Sequence, residues 1–295
     1  MKYNFRESQK SAKAVRCGTF DGSSLEDRHY VTGDFGGNLT VWDLEEERAV
    51  EEAAGAHRDM VNCVAGAAGR LVTGGRDGEV RVWDPRDIRQ CALNMRDETT
   101  CHDTWTVTIR DHVVCSGYSN GDVRMFDLRA GAATWDTNFG GGGVTSLTLM
   151  EDRRLAGGGA GGVAAVWDLQ TRHSSQGYTR TDARVEKSVI WSLSPSPDNN
   201  SVMMATLGSG AARLVQFKPP GHRVMIGRDG TNVGTPGELR AGAGHQWADR
   251  PVTSFHWSGD RAGLGVATGF DQKIRVVIVP SIGSQAKSQS DSTQQ

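Results

Sequence analysis

The sequence predicts an all-β chain, a β-propeller of six recognisable blades over residues 1–280. Three observations predict it. A strand closed by aspartate recurs at a near-constant spacing, and the apolar runs between copies are too short for helices. Gly supplies 38 of 295 residues, close to twice the usual share of about 7%.

The repeat is the strongest of the three. LTVWDL, VRVWDP, VRMFDL and AAVWDL carry Asp43, Asp84, Asp127 and Asp168, at spacings of 41, 43 and 41 residues. Each follows a Gly-rich turn: TGDFGGN at 32–38, TGGRDGE at 73–79, SGYSNGD at 116–122 and GGGAGGV at 157–163. Two further copies, at 204–217 and 266–279, keep the turn and the strand but lack the Trp-Asp pair. Within one copy, Val61, Cys63, Leu71, Val72, Val80, Val82 and Trp83 form short runs with no 3.6 period, which is strand patterning. Gly74 and Gly78 are placed where tight hairpins need positive φ. Several short strands every 40–45 residues or so, closed by Trp-Asp, are the signature of a WD40 propeller. One small sheet cannot bury both faces, so neighbouring blades must stack.

Composition narrows the function classes. Apolar residues at 37% exclude a disordered chain, and 8 prolines exclude a collagen-like one. A net charge of -2 provides no positive field for nucleic acid or anionic lipid. Five cysteines at 17, 63, 91, 101 and 115, with no pair at zinc-ligand spacing, are expected to be reduced intracellular thiols. The polar start MKYNFRESQKSAK lacks the apolar core of a signal peptide. The run VVIV at 276–279 is far short of the about 20 residues of a membrane span. The expectation is a soluble cytoplasmic protein with no cofactor, no metal, no nucleic-acid partner and no membrane contact.

One copy holds a full polar set. His57, Thr73, Asp77 and Trp83 fall where a single buried hydrogen-bond chain would join a lead-in loop, two strands and a turn, favourable when every member is satisfied. A catalytic His/Asp/Thr set is the alternative, but these positions follow the repeat and not a cleft. Two motif matches are discounted. Gly157, Gly159 and Gly162 satisfy GxGxxG, and Gly117-Tyr118-Ser119-Asn120-Gly121 satisfies GxSxG. Both chemistries require a helix after the turn, and here VAAVWD and DVRMFD follow, which are strands. Cys101-His102 lacks a partner pair at ligand spacing. No active site assembles, and the chain is expected not to be an enzyme.

Surface residues then become the candidates for protein binding. Arg86 and Arg129 stand two places after Asp84 and Asp127. This WDxR spacing resembles the motif by which some WD40 proteins engage a cullin-four ubiquitin-ligase adaptor, while the plainer reading pairs each Arg with its own Asp. Phe35, Arg58, Arg76 and Phe270 lie in loops expected at one end of the propeller, an Arg and aromatic mixture like that of interface centres. Trp105 and Trp191 are aligned with Val61, Val144 and Val252 and are expected to be inter-blade core residues. Residues 218–251 exceed a normal connection, and 281–295, rich in Ser and Gln, are expected to be a disordered tail.

Several stretches are more specific than the generic repeat: VRCGTF at 15–20, TGDFGGNLTVWDLE at 32–45, TGGRDGEVRVWDPR at 73–86, SNGDVRMFDLR at 119–129 and FDQKIRVVIV at 270–279. They resemble the Monad-type WD-repeat co-chaperones, a family of axonemal dynein preassembly factors. The resemblance implies a scaffold working with the RuvB-like ATPase and heat-shock protein 90 machinery on dynein chains. It also implies seven blades where six are recognisable. Either a blade precedes Met1, or a six-bladed ring closes with Lys2–Phe5 paired beside Arg275–Val279, since an unpaired edge invites aggregation.

Overall fold

Leu71 and Val72 are adjacent in sequence and both fully buried. Successive strand residues point to opposite sides of a sheet, so this sheet is covered on both faces. The computed structural model describes residues 13–20, 29–67, 69–96, 102–173, 177–226 and 232–279. Among them there is no helix, and all the sheets are antiparallel. The chain divides into two compact units, Met1–Asn138 and Phe139–Gln295.

The first unit holds three four-stranded meanders, each a propeller blade. The first sheet is β1 (Val15–Thr19), β2 (His29–Asp34), β3 (Leu39–Asp43) and β4 (Arg48–Ala53). The second is β5 (Val61–Ala67), β6 (Arg70–Gly75), β7 (Val80–Asp84) and β8 (Asp87–Asn94). The third is β9 (Thr104–Arg110), β10 (Val113–Tyr118), β11 (Asp122–Asp127) and β12 (Ala132–Asn138). Leu71, Trp83 and Ile88 of the second sheet pack on Val31, Leu39 and Val41 of the first. Val72, Val80 and Val82 pack the other way, on Val107, Ile109 and Val114 of the third. The two-residue period thus decides which neighbour each side chain meets. The pair Val82 and Trp83 sends its members to opposite interfaces.

The second unit repeats the scheme. Its first sheet is β13 (Val144–Leu149), β14 (Arg154–Gly159), β15 (Val163–His173) and β16 (Gly177–Arg184). The next contains β17 (Ile190–Pro195), β18 (Val202–Leu207) and β19 (Ala211–Lys218). The chain then makes a separate hairpin of β20 (Val224–Ile226) and β21 (Asn232–Gly234), and β22 (Glu238–Gln246) returns as the fourth strand. The long segment after 218 is therefore partly blade, a role hidden by the glycines of ELRAGAGHQ. Among the described residues the last sheet has three strands, β23 (Val252–Trp257), β24 (Leu264–Gly269) and β25 (Ile274–Ile278). Ile274, Val276 and Ile278 of β25 are exposed, although the matching Val80 and Val82 are buried. Lys2–Phe5 and the tail 281–295 lie outside the described residues, as does Cys101.

A bulge recurs at the start of the first strand of every blade sheet. Register shifts occur between Val15 and Cys17, Val61 and Cys63, Val144 and Ser146, Ile190 and Ser192, and Val252 and Ser254. In β9 the matching shift leaves Trp105 out, with Thr104 opposite Tyr118 and Thr106 opposite Gly117. This corrects the expected place of Trp105 and Trp191. The residues equivalent to Val61 are Thr104 and Ile190, both fully buried, and each tryptophan occupies the extra position that a bulge frees from the ladder. Trp105 is accordingly 36% exposed and not core. Two of the polar bulge residues reach the next sheet. Asn62 Nδ2 donates to the Thr104 carbonyl at 3.0 Å, and Thr145 Oγ1 donates to that of Ile190.

The turn between the second and third strands provides a second link. Gly162 has φ +75°, and its carbonyl accepts the N–H of Val185 at 2.9 Å, at the lead-in to β17. A Cβ here would collide with the Glu186 carbonyl oxygen and lie 2.6 Å from that of Ser188. Gly37, Gly78 and Gly210 stand at the same turn position and face the lead-ins of their following sheets in the same way. In the last sheet the position is Gln272, at φ 59°.

Candidate functional site

The four residues singled out in the second blade form one chain. Trp83 Nε1 donates to Thr73 Oγ1 at 2.9 Å, His57 Nε2 lies 2.7 Å from that hydroxyl, and His57 Nδ1 lies 3.0 Å from Asp77 Oδ1. An indole N–H only donates and a carboxylate only accepts. The direction is therefore fixed: Trp83 to Thr73, Thr73 to His57, and His57 Nδ1–H to Asp77. Asp77 also accepts the N–H groups of Arg58 at 3.0 Å and Glu79 at 3.1 Å. His57 is fully buried, and the chain joins a lead-in loop to the hairpin it faces.

Burial works against ionisation of Asp77. The hydrogen bond from His57, with the two backbone N–H groups, outweighs it and holds the carboxyl below its ordinary 3.8. A depressed folded-state value means the stabilisation is complete above the unfolded value and is lost as pH falls through the folded one. Asp77→Asn is thus expected to lower the urea midpoint near neutrality and to flatten its decline below about pH 4. Parallel unfolding curves across that range provide the check, and an unchanged slope would show that Asp77 is not the titrating group.

The other blades keep fragments of this arrangement. Trp42 donates to Thr32 at 2.8 Å in the first sheet, while Asp34 caps its own turn through the N–H groups of Gly36 and Asn38. In the fourth sheet Trp167 faces Gly157 across the position of Thr73, and Phe139 packs edge-on against it at 5.7 Å. The polar chain is thus a fastening used where its residues are all present, replaced elsewhere by packing.

Arg86 and Arg129 pair locally. Arg86 Nε and Nη2 donate to Asp84 at 3.1 and 2.9 Å, and its hydrogen bonds hold the Asp84 carboxyl down at about 2. Arg129 Nη2 lies 3.4 Å from Asp127 Oδ2 and 2.7 Å from His112 Nε2. Both guanidinium groups remain largely exposed.

Three of the four loop candidates share one structural position, while Arg58 stands in the lead-in to β5. Phe35, Arg76 and Phe270 each follow the second strand of their sheet, and each donates its N–H to the residue before the first strand, to Ala14, Met60 and Pro251 at 2.9–3.0 Å. Arg76 Nε lies 3.7 Å from Asp103 Oδ2, and Arg58 Nη2 lies 3.7 Å from the buried Glu79. Phe35 is exposed, and Phe270, 62% exposed, meets the Trp191 ring edge-on at 5.8 Å. Counting along the sequence gives no sign of this last pairing, because the bulge shifts Trp191 by one residue.

The WD domain, G-beta repeat family matches residues 53–84, the span that contains the complete polar chain. Similarity to curated proteins is much broader. Dynein axonemal assembly factor 10 of Xenopus tropicalis is 36% identical, with 94% of this chain and 82% of that protein aligned. The proteins of the same name from Homo sapiens and Chlamydomonas reinhardtii are 34% and 33% identical, each aligned over 94% of this chain and 83% of their own length. The chain belongs to the dynein axonemal assembly factor 10 family. The resemblance drawn from VRCGTF, SNGDVRMFDLR and FDQKIRVVIV therefore holds along nearly its whole length. In this member of the dynein axonemal assembly factor 10 family the fold is also similar to a chain in the crystal structure of the mitotic checkpoint complex. That likeness has a TM-score of 0.73 at 16% identity, over 92% of this chain and 76% of the other. Among the described residues no helix is long and apolar enough to cross a membrane.

Proposed function

We propose that this chain is a non-catalytic WD40 scaffold in the assembly of axonemal dynein, acting in the cytoplasm. In this reading it brings dynein chains to the RuvB-like ATPase and heat-shock protein 90 machinery. The observation that carries the proposal is 33–36% identity along nearly the whole chain to proteins named for dynein assembly. Exposed aromatic and arginine side chains at repeated turn positions add support, because such residues concentrate binding energy when a partner covers them.

Affinity capture of the tagged chain from a ciliated cell is the test. Dynein heavy chains and RuvB-like ATPases are the expected companions, and recovery of neither would reject the proposal. The competing reading is a cullin-four ligase receptor acting through Arg86 and Arg129. Because both arginines sit in exposed ion pairs, Arg86→Ala plus Arg129→Ala is expected to leave the melting temperature unchanged and to leave dynein recovery intact. Recovery of the ligase adaptor, abolished by that double variant, would instead establish the receptor.

A further inference from the structure

In the other blade sheets a fourth strand, β4, β8, β12, β16 or β22, pairs with the third. Among the described residues no strand pairs with the outer side of β25. The Val279 N–H donates to the Gly263 carbonyl at 2.8 Å, which fixes the phase of the β24–β25 ladder. Thr268–Ile274, Val266–Val276 and Leu264–Ile278 are therefore its non-hydrogen-bonded pairs. In such a ladder the N–H and C=O groups of Ile274, Val276 and Ile278 point away from β24, into the open edge.

The side chains at this edge are as open as its backbone. Ile274, Val276 and Ile278 are 76%, 70% and 73% exposed, and Val266 stands beside them on the same face. Natural edge strands are guarded by outward charges, by proline, by bulges or by being very short. β25 runs for five residues with no register shift. Its one charged residue turns to the opposite face, where Arg275 donates to the Trp247 carbonyl and to Asp271 Oδ1, each at 3.1 Å. An unguarded apolar edge is a template for another strand.

We propose that β25 is the contact through which two copies of this chain pair, edge to edge, in a two-fold dimer. The strand reads Ile-Arg-Val-Val-Ile, and its exposed apolar positions are symmetric about Val276. Antiparallel pairing about that residue sets Val276 against Val276 of the partner subunit and Ile274 against the partner's Ile278. Arg275 falls opposite Val277 and Lys273 opposite Val279, so no like charges meet. This register hydrogen-bonds the same three residues whose backbone groups point outward, because bonded pairs recur at every second position. One surface thus meets itself, as an isologous two-fold contact requires. A foreign strand would need its own match to this pattern, whereas a second copy carries it. The contact goes beyond the dynein reading and is tested without it.

Sedimentation equilibrium of the purified full-length chain from about 1 to 200 μM is the test, because so short a contact belongs to the weak end of association. The mean mass is expected to climb from one chain toward two. Val276→Lys is expected to raise the dissociation constant at least about tenfold, while Ile226→Lys, at an exposed position of β20, leaves it unchanged. Cysteine variants read the register. The two Val276 Cα atoms would lie about 5.5 Å apart, within disulfide reach, so Val276→Cys is expected to cross-link on oxidation where the wild type does not. The two copies of Ile278 would lie more than about 13 Å apart, and Ile278→Cys is expected to stay uncross-linked. A single chain mass at every concentration, equal weakening by Ile226→Lys, or no cross-link through Val276→Cys would overturn the proposal. A dimer that forms only after residues 1–12 are removed would overturn it as well, by giving the edge to the chain's own start. The wild-type mass series decides the matter even where a variant fails to fold.

Discussion

Gly162→Ala is expected to destabilise the second unit by about 3 kcal/mol or more, one of the two largest effects foreseen for a single substitution in this chain. Two penalties combine. At φ +75° a Cβ carries a backbone strain of roughly 1–2 kcal/mol. The new methyl would also strike the carbonyl oxygens of Glu186 and Ser188, which are backbone atoms and cannot rotate away as a side chain would. The lead-in to β17 must therefore shift, and with it the hydrogen bonds of Val185 and Glu186 to Gly162. Gly131→Ala is the control. That glycine has φ +62°, with nothing within 4 Å of its added Cβ, so it isolates the strain from the collision. Urea midpoints of the two variants are the measurement, and equal losses would show that the contact with the following sheet is immaterial.

His57→Ala is expected to cost about 2–4 kcal/mol in the first unit. The substitution empties a fully buried site and leaves the Thr73 hydroxyl and the Asp77 carboxylate each short of a partner. Asp77 retains the backbone N–H groups of Arg58 and Glu79, which limits the loss. Trp83→Phe, removing the first donor of the chain and part of a buried ring, is expected to cost about 2 kcal/mol. Partner capture from cells should fall with the folded fraction and no further. A His57→Ala protein that stays fully folded yet loses its partners would give His57 a direct role at an interface.

The legible parts of this fold are those in which spacing and chemistry coincide. Asp43, Asp84, Asp127 and Asp168 mark their strands because the same turn precedes each of them. His57, Thr73, Asp77 and Trp83 could be joined on paper because donors and acceptors alternate along the repeat. Trp105 and Trp191 could not be placed, because a bulge adds one residue without changing the local pattern of polarity. β22 was hidden because Gly242 and Gly244 interrupt any alternation. Arg154 gave no sign of burial at all. In EDRRLAGGG it has the appearance of a turn residue, and only the distant segment around Phe217 and Thr235 encloses it.

The row of turn glycines has a consequence for synthesis. Gly37, Gly78, Gly162 and Gly210 each face the lead-in to the sheet that comes after them, so a hairpin leaving the ribosome is unfinished until the next segment has also emerged. A faulty turn at any of these glycines is therefore felt by the sheet that follows it. Gln272, the last in that series, carries a side chain where its predecessors could not.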